Sequence, residues 1–147
     1  MLLLGSGVRA ADGQAGGSTT VVPVQQLTFG NLVPGMAEVV SVNDVGRRAM
    51  IALSGSNAVD VTFLLPAALE SATGGRIPLQ FSTADAGVLS STVSLAVPMN
   101  PHESRRVLLA PDHVTHILLG GVALPGQGQP PGHYSARVVL LISQPGT

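Results

Sequence analysis

The sequence predicts an all-β fold, an antiparallel sandwich of about 7–9 strands, and three observations predict it. Short apolar segments with two-residue alternation recur at close intervals, the mark of strands that bury one face. The 18 Gly and 11 Pro fall between these segments as turns and leave no window for a long helix. No stretch holds a 3.6-residue apolar period over three turns, and no repeat of solenoid or propeller length is visible.

Taken in order, the elements begin at Thr20–Phe29 (TVVPVQQLTF), where Pro23 argues for an edge position because it has no N–H to donate to a ladder. Ala37–Val42 follows the Gly30, Pro34 and Gly35 turn, and Arg48–Leu53 follows Asn43-Asp44 and Gly46. Ala58–Leu65 (AVDVTFLL) is the clearest half-buried strand, with Val59, Val61, Phe63 and Leu65 on one face and Asp60 and Thr62 on the other. Pro66 stops it, and Ala67–Ala72 suits a single helical turn before Thr73-Gly74-Gly75. Arg76–Ser82 puts Ile77, Leu79 and Phe81 on one face. Thr92–Val97, Arg105–Leu109, Val114–Leu124 and Tyr134–Ser143 complete the set. Phe29, Phe63 and Phe81 read as core residues.

The closing strand carries Tyr134, Ala136, Val138, Leu140 and Ile142 in one phase, the candidate core of that strand. Pro130, Pro131 and Gly132 lead into it. A Tyr at its start can bury its ring and tie its hydroxyl to a nearby carbonyl, while His133, out of phase, faces solvent. The VVLLI run from Val138 to Ile142 is apolar on both alternations, so the strand is expected to need cover on both faces or a position in a tight central sheet.

At 147 residues the chain suits one domain, expected over 18–147. Residues 1–17 read as the end of a secretory signal and a flexible lead-in: Leu2–Val8 is a short apolar run, and Val8-Arg9-Ala10 places small residues where a signal peptidase reads them, with cleavage after Ala10 or Ala11. That predicts a secreted or cell-surface protein, periplasmic in transit. No apolar run approaches the roughly 20 residues of a membrane-spanning helix, so no transmembrane segment is expected.

Charged residues make up 10% of the chain, against roughly 25% in ordinary soluble chains. There is no Lys, and the seven Arg form two pairs and three singles rather than a basic stripe, which argues against nucleic acid as a partner. Arg47-Arg48 and Arg105-Arg106 read as solvated strand ends, with an intersubunit contact to an acid as the functional option. Absence of Cys removes disulfides, thiolate metal sites and Cys nucleophiles. No G-x-S-x-G elbow or phosphate loop is present, and with no Trp and one Tyr there is little platform for sugar stacking. The weak metal option is Asp112, His113 and His116, whose spacing on a strand sends the two imidazoles to opposite faces. His102 beside Glu103 reads as a loop residue. The expectation is therefore a non-enzyme, with no cofactor and no metal.

Three segments, LTFGNLVPG (Leu27–Gly35), IALSG with VTFLLP (Ile51–Gly55, Val61–Pro66), and LLGGVALPGQGQPPGHYSARVVLLIS (Leu118–Ser143), together resemble a family of small secreted bacterial β-sandwich proteins of uncharacterised function. That family is similar in style to fimbrial and spore-coat-U-type pilin subunits. The resemblance spans about residues 20–143 and implies an Ig-like, pilin-like sandwich and a surface location, without any catalytic residue. One departure is the missing disulfide that chaperone-assembled pilins usually carry, which puts their assembly route in doubt here.

The functional expectation is a structural or adhesive surface protein whose partner is itself, as a homo-oligomer or a fibre built by strand addition. Val21, Val22, Val24, Leu27 and Phe29 form the candidate strand-exchange segment, the alternative being that it pairs within its own domain. The other functional reading is a monomeric binding module for a surface glycan or protein, using loop residues around Gly126–Tyr134.

Overall fold

A computed structural model describes residues 2–10, 19–90 and 96–145, the first of these at the level of the backbone. It is an antiparallel β-sandwich without a helix among the described residues, so none is long and apolar enough to cross a membrane. Alternating short strands, each burying every second side chain, leave no other layer for the core than the space between two sheets.

The strands are β1 (Leu2–Ala10), β2 (Thr20–Gln25), β3 (Leu27–Gly30), β4 (Glu38–Val40), β5 (Ala49–Ser54), β6 (Ala58–Leu64) and β7 (Ala68–Glu70). They continue with β8 (Arg76–Gln80), β9 (Ala86–Ser90), β10 (Val97–Met99), β11 (Arg105–Leu108), β12 (Thr115–Leu119), β13 (Gly121–Ala123) and β14 (Tyr134–Ser143). One sheet has five strands in the order β10-β9-β12-β5-β2. The other has nine, β11-β6-β14-β7-β8-β13-β4, with β1 paired to β14 and to β3 off this path.

Two expected strands are each divided because the chain changes sheets partway along. Thr20–Phe29 leaves the five-stranded sheet after Gln25, and Leu27–Gly30 enters the other sheet beside β1. The Gln25 side-chain amide holds the corner, donating to the carbonyls of Arg48 at 2.6 Å and Val45 at 2.9 Å. Pro23 lies in an edge strand, where its missing N–H costs no ladder bond. Val114–Leu124 divides at Gly120, with Thr115–Leu119 between β5 and β9 and Gly121–Ala123 between β4 and β8. Only a residue without a Cβ fits this crossing, since a Cβ there would run into the carbonyl of Val40.

The helical turn expected at Ala67–Ala72 is instead β7. Leu69 is fully buried and paired to Ile77, and the hairpin closes through Ser71–Gly75, with Gly74 at φ 91°. Burying Leu69 against the opposite sheet outweighs the weak local preference of an Ala-rich hexapeptide for helix. Of Thr92–Val97, residues 92–95 lie outside the described residues, as does the lead-in at 11–18. A strand not foreseen, β9, sits just before it.

The core joins both sheets: Leu27, Phe29, Ile51, Leu53, Val59, Val61, Phe63, Leu69, Ile117 and Leu140 are all buried between them. Phe81 differs from Phe29 and Phe63 in being only partly buried, packed against the core's margin. Arg47 and Arg48 part company. Arg47 stays at the surface and bonds Glu38 at 2.6 Å and Asp44 at 2.7 Å, so both acids come from its own chain. Those two hydrogen bonds hold its guanidinium above the ordinary arginine range. Arg48, expected to be solvated, is buried just before β5, where its guanidinium meets a backbone carbonyl. Its Nη1 donates to the Val42 carbonyl at 2.9 Å, and its Nε is buried without a partner.

Candidate functional site

β14 is the longest strand among the described residues, and its two edges are unlike. Along one edge it runs antiparallel to β6, Val139–Ser143 against Leu64–Asp60, and meets β7 at Ser135 opposite Glu70. Along the other edge it runs parallel to β1 for all 9 residues of that strand, from Leu2 opposite Tyr134 to Ala10 opposite Ile142. Each of the other strand pairs among the described residues is antiparallel.

On its far side β1 meets β3, with Leu2, Leu3 and Leu4 opposite Gly30, Thr28 and Leu27. No direct pairing joins β3 to β14, so β1 fills a slot between them. Its walls are β3 and the last strand, β14, and the buried side chains on them are Leu27 and Phe29 on one side and Tyr134, Val138, Leu140 and Ile142 on the other. Without an occupant, one whole edge of β14 would present unpaired N–H and C=O groups beside the core.

The strand-exchange candidates are divided by the chain's change of sheet. Val21 packs against the core from β2, Val22 and Val24 are exposed on that edge strand, and Leu27 and Phe29 lie fully buried in β3. Val21, Val22 and Val24 thus stand on β2, paired to β5, and Leu27 and Phe29 on β3, whose ladder partner is β1 and which forms one wall of the slot.

In the closing strand, Tyr134, Val138, Leu140 and Ile142 are buried and Ala136 is half-buried against them. The Tyr134 hydroxyl donates to the Pro130 carbonyl at 2.6 Å and accepts from Gln129 Nε2 at 2.9 Å, tying the proline loop to the strand. This is the arrangement of a tyrosine corner, a Tyr at the start of a sandwich strand bonded to backbone a few residues upstream. Tyr134→Phe should lower stability by about 1 kcal/mol, the net worth of a hydrogen-bonded hydroxyl, seen as a reduced urea midpoint with an unchanged slope. His133 is exposed. Of the two expectations for VVLLI, β14 takes the central place in a sheet, between β6 and β1, and Val139 and Leu141 on its second face are half-buried, Val139 opposite the half-exposed Leu64.

Just past the point where Leu2 meets Gly30 and Tyr134, the slot opens into a cleft of about 350 Å³. Leu32, Pro34, Pro125, Pro130 and Tyr134 line it, with Asn31 and Gln129 as its polar side chains. The sequence pointed to one wall of it, the Gly126–Tyr134 loop, but not to Asn31–Pro34 and Ile77, which come from distant parts of the chain. The Asp112–His113 pair stands 3.7 Å apart on the turn before β12, while His116 is within that strand. Among the described residues, no three His, Cys, Asp or Glu side chains are grouped to hold a metal ion. No protein-family model matches the chain, and no curated protein matches it.

Proposed function

We propose that the protein is a secreted, non-enzymatic structural or adhesive surface subunit that associates with copies of itself by strand addition. The observation that carries this reading is the slot between β3 and β14, a strand-wide gap in the sandwich that a single extended segment fills through main-chain hydrogen bonds. Such a gap accepts any strand of suitable pattern, with the ladder supplying affinity and the alternate side chains supplying selection. A pilin-like role, in keeping with the family resemblance, places the slot at the junction between successive subunits.

Polymers built this way are heterologous, head to tail, and need not close. Light scattering and negative-stain microscopy of the protein purified from its exported form should therefore find regular linear assemblies. Strict monomers at concentrations up to about 100 times those of the assay would sink the fibre reading.

The cleft at the slot's end supports a second reading, a monomeric module that binds a surface glycan or protein through the Gly126–Tyr134 loop. Its apolar, proline-rich wall suits an aliphatic or aromatic anchor better than a sugar ring. Saturable binding by the monomer, lost on filling the cleft with Pro34→Trp, would favour this reading over the first.

A further inference from the structure

We infer that β1 is a removable plug: the segment Leu2–Ala10 closes the slot in its own chain, and hydrolysis of the Ala10–Ala11 peptide bond opens the slot to a strand from a second copy. This inference rests on the strand-addition reading and names how that site is regulated.

Two features bear on the bond after Ala10. The described part of β1 pairs with β14 from Leu2 to Ala10, all of it on the N-terminal side of that bond. Val8 and Ala10 place small residues at the third and first positions before it, as a signal peptidase requires. A cut at that bond consumes one water, leaves a carboxylate on Ala10 and a new amino terminus on Ala11, and severs Leu2–Ala10 from the domain, so that β3 and one edge of β14 lose their ladder partner until another strand enters.

The plug is also weakly made. Its pairing with β14 is parallel, slightly less stable per residue than the antiparallel pairing used elsewhere in the molecule. Gly5-Ser6-Gly7 occupies the middle of the strand, where glycine costs conformational entropy and contributes no side chain to pack. Only Leu2–Leu4 are held on both edges, since β3 pairs no further. An incoming segment that ran antiparallel to β14, with β-branched residues in place of the glycines, would hold the slot more firmly. Attached through residues 11–19, β1 wins by proximity alone; once cut, it competes as a free peptide.

The experiment uses the full chain with a protease recognition sequence inserted between Ala10 and Ala11, purified uncut, and a synthetic peptide of residues 1–10 as probe. The uncut protein should be monomeric by light scattering. After cutting and gel filtration it should assemble, and excess peptide should slow that growth at least tenfold. A companion variant, Gly5→Pro with Ser6→Pro, needs no cutting. Successive N–H groups of a strand point to opposite edges, so one of two adjacent prolines must break the β14 ladder, and this variant should assemble uncut.

If the uncut chain assembles as fast as the cut one, and the proline variant no faster than either, β1 is no plug, whatever becomes of the strand-addition reading. If the cut, peptide-free chain stays monomeric yet rebinds the peptide, the plug stands and assembly by strand addition falls. A cut chain that neither assembles nor rebinds the peptide overturns both.

Discussion

Gly120→Val should unfold the domain or cost it at least about 3 kcal/mol, the largest effect expected of any single substitution that adds only apolar atoms. The chain crosses from the five-stranded sheet to the nine-stranded one at this residue, with β12 ending at Leu119 and β13 beginning at Gly121. A Cβ on Gly120 would collide with the Val40 carbonyl oxygen and would also lie 3.1 Å from the carbonyl carbons of Val40 and Ser41. These are backbone atoms of the neighbouring β4 region, so no rotamer change relieves the clash. The Gly120 N–H meanwhile donates to the Asp85 carbonyl at 2.7 Å, which pins it from the other side. Even Gly120→Ala should reduce the chemical-denaturation midpoint severely. A substituted protein with a melting temperature within 2–3 °C of the parent, a change of roughly 0.5 kcal/mol, would show that the crossing can relax.

Phe29→Ala should cost about 3–5 kcal/mol, much of the margin by which a domain of this size is stable. Phe29 is 1% exposed and stands on β3, the wall of the slot opposite β14. The fall in melting temperature should be roughly 10–20 °C and independent of protein concentration, because Phe29 packs in its own domain. A segment that instead lent Phe29 to a neighbour would show a loss that diminishes as concentration rises, and that result would restore the Thr20–Phe29 segment as the exchanging strand. Val22→Ser, on the exposed face of β2, serves as the control and should change stability by less than about 0.5 kcal/mol.

Much of the fold was legible in single strands and little of it in their partnerships. Val59, Val61 and Phe63 alternate with Asp60 and Thr62 in the sequence, and they alternate between core and surface in β6. Tyr134 was readable because one residue carries an apolar ring and a hydroxyl next to a loop of prolines with carbonyls to spare. The changes of sheet at Gln26 and Gly120 were not, since a strand that swaps sheets keeps the same two-residue alternation on both sides of the crossing. Leu69 overrode a local helical tendency through contacts with residues distant in the chain. Arg48 was mistaken for a surface residue because its neighbour Arg47 looks identical in sequence, and what separates them is the Val42 carbonyl that the Arg48 guanidinium reaches.

The slot itself was the least visible feature. Its occupant and its long wall are the two ends of the chain, Leu2–Ala10 and Tyr134–Ser143, and nothing local to either announces the other. LLLGSGVRA read as the close of a signal sequence because its composition fits one, and the same nine residues make a passable strand once an edge is offered to them. Where a strand edge meets a segment that processing can remove, one stretch of sequence can serve both ends.

The absence of cysteine makes the central claim open to a direct test, since any disulfide in a double-cysteine variant must be the one introduced. Gly5 and Arg137 are opposite one another in the β1–β14 ladder. The uncut variant Gly5→Cys with Arg137→Cys, oxidised at low concentration, should form a disulfide within single chains and run as a compact monomer on a non-reducing gel. Thiols that stay free, or that pair only between chains, would contradict the placement of β1 in its own slot.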